Sequence, residues 1–172
     1  GAMQFSHENS LADYLPLRVA IIAPDGRDGM IKHARDCAER GVPFIFDPGQ
    51  QLPMFSGDEL LTFIDQASYL ACNDYEFEMV MDRTGLPLQD IAARLDALVV
   101  TRGEHGSDIY AGGEHPKIPA VPAASVVDPT GCGDAYRAGL LHGIASDFDW
   151  PTTGRLASLL GVKEDQVRAK RH

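Results

Sequence analysis

The chain has 172 residues, enough for one domain with a real core. Its formal net charge is −10 and its pI is near 4.9, a balance that argues against a general nucleic-acid or membrane-surface binder while leaving room for a local positive spot that holds phosphate. No apolar run is long enough to span a bilayer and no signal peptide is visible. Cys37, Cys72 and Cys132 lie far apart and out of metal-ligand spacing, which points to reduced thiols in the cytoplasm.

In chain order, "GAMQFSHENS" reads either as an expression remnant at residues 1–3 or as native sequence that begins in mid-protein. "LRVAIIA" (17–23) predicts a buried strand, closed by the turn "PDGRDG". Helical spacing follows from about 28 to 40, with Met30, Ile31, Ala34, Cys37 and Ala38 on one side and Gly41 as the stop. "VPFIFDPG" predicts a second strand with Asp47 at its carboxyl end. "SGDELLTFIDQA" predicts a helix capped by Ser56, with Glu59 three residues on. "SYLACN" is a third strand and "DYEFEMVMDRTG" a helix ending at Gly85. A short helix over 88–95 precedes the strand "DALVVTRG", and "GSDIYAGGEHPKIPA" reads as a hairpin turning at Gly112 and Gly113. A loop and a helix come next in "SVVDPTGCGDAYRAGLLHGIASD". "WPTTGRLASLLG" is a last helix, and residues 162–172 form a polar tail that looks unanchored.

Alternating strands and helices imply a mainly parallel sheet in an α/β layered fold. Ligands then bind outside the carboxyl ends of the strands. Asp47, Asn73 and residues 101–104 each follow a predicted strand and should gather there, joined by "TGCGD".

Gly131 and Gly133 let the backbone turn several N–H groups toward one point, and the positive end of the following helix adds to them. With Cys132 between them they form an anion hole suited to a transferring phosphoryl group. Asp134, in the first turn, is placed to accept a proton from an attacking hydroxyl. On these few residues alone, an ordinary turn and helix cap remain the stronger reading.

The longer string "DPTGCGDAYRAGLL" resembles the second signature of the ribokinase family, the PfkB carbohydrate kinases. "ACNDYEFEMV" resembles that family's Asn-x-x-Glu segment, and "LVVTRGEHGSDIY" its nucleotide-binding Thr-x-Gly-x-x-Gly. The resemblance runs from about residue 17 to residue 161. "FDPGQQLP" and "DWPTTGRLASLLG" look most like the nucleoside (adenosine) kinase branch. It implies a ribokinase-like three-layer α/β/α sandwich and an ATP-dependent phosphotransferase acting on the hydroxymethyl group of a nucleoside or sugar. Asp134 is then the catalytic base, with Gly131, Cys132 and Gly133 as the anion hole. Asn73 and Glu76 organise Mg²⁺ through water, together with the phosphates. Thr101, Gly103 and Gly106 hold the nucleotide. Asp128 and Thr130 match positions that help bind a monovalent cation such as K⁺ in several members.

Each residue also has a plainer role open to it. Asn73 and Glu76 suit a helix start, 101–106 a simple turn, and Asp128 before Pro129 a turn initiator. Asp47 reads equally as a site residue or a loop cap. Arg102 and His105 read as solvated rim, Cys132 as a small loop filler, and Trp150 as packing for the last helix.

Relative to the family, the amino-terminal half and its β-sheet lid, which carry most sugar contacts, are expected to lie outside this chain. An exposed sheet edge would then allow two copies to associate. Two further readings follow: a non-catalytic nucleotide- or anion-binding fragment, and a flavodoxin-like regulatory domain with Asp47 as its strand-end Asp.

Overall fold

The computed structural model describes residues 2–121 and 131–169. Among these, six strands form one sheet in sequential order: β1 (Ala20–Ile22), β2 (Phe44–Phe46), β3 (Tyr69–Asn73), β4 (Ala97–Thr101), β5 (Ser107–Tyr110) and β6 (Lys117–Ile118). The first four are parallel, and β5 and β6 are added antiparallel. The hairpin turns through Gly112 and Gly113, where Ala111 pairs with Glu114. The first strand is shorter than the apolar run 17–23 predicts, because only three of its residues meet β2 in register.

Both faces of the sheet are covered. Helices α1 (Arg27–Glu39), α2 (Gly57–Gln66), α3 (Asp74–Thr84) and α4 (Leu88–Ala92) pack on one face, where Phe44, Phe46, Leu70, Leu98 and Val100 meet Met30, Ala34, Leu60, Phe63, Phe77 and Ile91. Helices α5 (Cys132–Ala145) and α6 (Trp150–Ala169) cover the other, where Ile45, Ala71, Ala97, Val99 and Ile109 meet Leu140 and Ala157. The alternation within Phe44-Ile45-Phe46 sends successive side chains into opposite cores, so all three are fully buried. Burying each such side chain stabilises the fold by about 1.5–3 kcal/mol relative to exposure. Strands β1 to β4 are laid down in one direction by crossovers of one hand, which explains why their helices share a face.

Local signals terminate these elements. Ser56 and Glu59 form a reciprocal capping box at α2. Gly85, with φ 69°, closes α3 in the left-handed conformation. Trp150 packs edge-on against Tyr69 with ring centroids 5.8 Å apart, which is the packing role the sequence suggests. Helix α6 continues past Gly161 to Ala169, where the sequence reading places a polar tail. Lys, Glu, Gln, Arg and Ala in that stretch are all good helix formers. The segment Ala2–Glu8 is a 3₁₀ helix that lies along α1, tied by Ser6 O to His33 Nε2 at 3.0 Å.

No helix among the described residues is long and apolar enough to cross a membrane.

Candidate active site

The parallel register sets the carboxyl ends of β1 to β4 on one edge. Asn73 pairs with Thr101, and the Asp47 N–H donates to Ile22 O at 2.9 Å. Asp47, Asn73 and Thr101 thus gather as expected.

Asn73 ends β3 and caps α3. Its Oδ1 accepts from the Glu76 N–H at 2.7 Å, and Glu76 Oε2 accepts from the Asn73 N–H at 2.9 Å. The plainer helix-start role is therefore real. The capping box engages one carboxylate oxygen of Glu76 and holds the charge at the sheet edge. Glu76 Oε1 takes no part in the box, which leaves the half-buried carboxylate compatible with a water-bridged cation. Among the described residues no group of three or more His, Cys, Asp or Glu is placed to cage a metal.

Helix α5 starts differently. Its N-cap is Gly131, with φ 94°, a residue with no side chain of its own to cap the helix. Only a glycine enters that conformation without strain. The first backbone bond of the helix runs from Ala135 N–H to Gly131 O at 2.9 Å, so the amides of Cys132, Gly133 and Asp134 precede the intrahelical ladder. Asp134 is exposed in this first turn. Tyr136 pins the helix to β5 through its hydroxyl, 2.6 Å from Ser107 Oγ. Burial pushes the Tyr136 phenol up despite that bond.

Beyond Thr101, residues Gly103–His105 form a short 3₁₀ turn. Gly103 (φ 54°) is exposed, with open space where a Cβ would stand. Gly106 is buried, and a Cβ there would lie 2.0 Å from Ile118 O, so packing against β6 already demands glycine. Arg102 is exposed at the rim and pairs with Asp108, its Nε donating to Oδ2 at 2.5 Å. Burial raises the Asp108 carboxyl, but Arg102 and His115 outweigh it and hold the group below its usual value. His105 is exposed. Asp128 and Thr130, the candidate cation ligands, lie outside the described residues.

Sequence reasoning left Asp47 undecided and passed over Arg137. Asp47 is 1% exposed and forms an ion pair with the Arg137 guanidinium of α5. Burial pushes its carboxyl up to about 6; Arg137 opposes this, and the charges of Glu76 and Asp134 add to it. Those two influences register how near β2, α3 and α5 bring their acidic groups. The available signal was an Arg at the fourth position after Gly133, one helical turn on.

A separate open cavity of about 410 Å³ lies between the amino-terminal segment and β1, lined by Leu11, Ile22, Asp25, Met30, His33 and others. It shares no residue with the cluster above.

The fold matches a known group. Residues 3–163 match the model of the pfkB family carbohydrate kinases, and the chain belongs to that family. A nucleoside kinase of Methanocaldococcus jannaschii is 40% identical over 113 residues, covering 66% of this chain and 37% of that protein. The structure of Burkholderia thailandensis nucleoside kinase in complex with inosine superposes with a TM-score of 0.94 at 51% identity, covering 96% of this chain and 55% of that one. The same enzyme is also known in complex with ADP and inosine. The M. jannaschii nucleoside kinase structure, an archaeal member of the ribokinase family, gives 0.87 at 29% identity, covering all of this chain and 62% of its own. The α/β fold is thus ribokinase-like, and the aligned part of the chain covers 37–41% of two curated nucleoside kinases and 55–62% of the two solved ones.

Proposed function

We propose that this chain carries the nucleotide-binding and catalytic portion of an ATP-dependent nucleoside kinase, which transfers the γ-phosphoryl group to a hydroxymethyl oxygen. The observation that carries the reading is Asp134 in the first turn of a helix whose N-cap is a left-handed glycine. The 51% identity to an enzyme known with inosine favours a nucleoside over a free sugar as acceptor.

Asp134 accepts the proton of the acceptor hydroxyl as its oxygen attacks phosphorus. The amides of Gly131, Cys132 and Gly133 stabilise the charge on the moving phosphoryl oxygens, helped by the positive end of α5. Thr101, Gly103 and Gly106 line the nucleotide side. Asn73 and Glu76 are the residues that would hold Mg²⁺ through water, and the ion when bound neutralises phosphate charge. Asp128 and Thr130 are assigned to a monovalent cation such as K⁺, and the cytoplasm is the compartment where such a kinase meets ATP.

The test is ADP release from Mg-ATP with adenosine, inosine, ribose and fructose 6-phosphate offered separately, Asp134→Asn run beside it. Nucleoside-dependent release that the variant abolishes is the expected result. Release that the variant leaves intact would remove Asp134 from its role. The share of the relatives' length keeps a second reading in play, a nucleotide-binding fragment without turnover; it predicts Mg-ATP binding with no release for any acceptor. The regulatory-domain reading is disfavoured, because Asp47 is 1% exposed and paired with Arg137, closed to a phosphoryl donor.

A further inference from the structure

Asp47 presents a physical puzzle. A carboxylate 1% exposed is costly unless it is paired, and an apolar side chain of similar size would often stabilise the fold better. Its Oδ1 is buried and accepts no hydrogen bond from the described residues. Asp47 does not cap the 3₁₀ turn that follows, whose N-cap is Pro48 with no side-chain bond. Its described partner is Arg137, which comes from the opposite layer of the sandwich.

Arg137 is the other half of the puzzle. It stands four residues after Gly133, on the same face of α5, and long helical side chains lean toward the amino end. Its guanidinium reaches back over the first turn: a Cβ on Gly133 would lie 2.5 Å from Nη1. Gly133 is therefore small where the arginine crosses it. One face of the guanidinium fork addresses the end of β2, and another lies on the turn that presents the phosphoryl-binding amides.

We propose that Asp47 and Arg137 act together as positioning residues for phosphoryl transfer, Asp47 holding the Arg137 guanidinium across Gly133 and so fixing the first turn of α5 against the end of β2. The inference rests on the kinase reading above and adds residues to it. Catalysis by positioned amides is sensitive to displacement of well under an ångström, so a buried strut at this turn has a function that simple packing would not supply. Arginine suits the task because its rigid fork contacts two partners at once, whereas a lysine reaches only one.

The test is a double-mutant cycle read by Mg-ATP affinity in calorimetry, using the chain, Asp47→Asn, Arg137→Met, the two combined, and Arg137→Lys, with melting temperatures recorded for each. Asp47→Asn and Arg137→Met are each expected to weaken Mg-ATP binding by roughly tenfold, the scale of one charge-assisted contact. The combined variant should bind no worse than Arg137→Met alone, because Asp47 acts through the arginine. Arg137→Lys, which keeps the charge and the fold, should recover only part of the affinity. Affinity unchanged in Arg137→Met, or losses that simply add, would overturn the inference while the nucleotide reading stands. If the unaltered chain binds no Mg-ATP, the nucleotide reading fails, and this inference with it.

Discussion

Two helices begin at the same edge of the sheet and are finished in opposite ways. Helix α3 is closed by its own side chains, Asn73 and Glu76 each satisfying a backbone donor of the other. Helix α5 opens on Gly131, which has no side chain to offer, and its first-turn amides precede the intrahelical ladder. The difference teaches where charge belongs. The helix capped by side chains contributes a fixed carboxylate, suited to a cation and its waters, and the one that opens on glycine contributes backbone donors, suited to an anion. A phosphoryl group with its metal needs both, a few ångströms apart.

The comparison breaks most severely at Asp134. Asp134→Asn keeps the helix end and removes the proposed base, so turnover should fall by roughly 10²–10⁴-fold with Mg-ATP binding retained. Steady-state ADP release with a nucleoside acceptor measures the first, and calorimetry the second.

Beneath the open helix lies Asp47, whose carboxyl burial raises to about 6. The folded state holds that proton more tightly than the unfolded chain. Stability contributed by the protonated group is therefore present in acid and lost as pH rises from about 4 through 6. The shift is about two units, worth roughly 3 kcal/mol at 1.36 kcal/mol per unit. Chemical denaturation at a series of pH values should show this decline on the acid side, superposed on other groups. Asp47→Asn, which cannot ionise, should flatten it; an unchanged slope would remove Asp47 as its source.

Gly131→Ala asks how much the open end depends on its backbone. A side chain at φ 94° is strained by about 1–2 kcal/mol, so melting temperature should drop and anion affinity should fall with it. At the closed helix, Asn73→Ala should cost about 1 kcal/mol of stability by losing the cap. If Gly131→Ala were as harmless to nucleotide binding as a substitution on an exposed helix face, the contrast between the two ends would carry no functional meaning.

Much of this edge was legible in the residues. Asn73 with Glu76 three positions on, Ser56 with Glu59, and the Gly-x-Gly-Asp string all act over one helical turn, so their spacing reports their geometry. Gly106 was legible as a turn, yet its demand for glycine comes from Ile118 O on a neighbouring strand. Arg102 lies on the exposed rim as its sequence suggests, but its partner Asp108 on the adjacent strand was not legible. In both, the deciding atom belongs to a segment that becomes a neighbour only through sheet pairing.

The sequence by itself determined the order of strands and helices, the helix caps at Ser56 and Gly85, the hairpin at Gly112 and Gly113, and the motifs that mark a kinase family, because each depends on contacts within a few residues. The tertiary structure alone decided that α1 to α4 share one face, that α5 and α6 cover the other, and that Asp47 is buried against Arg137. Those facts depend on segments far apart in the chain meeting across a packed sheet, and burial, which sets the charge state of Asp47, exists only once they have met.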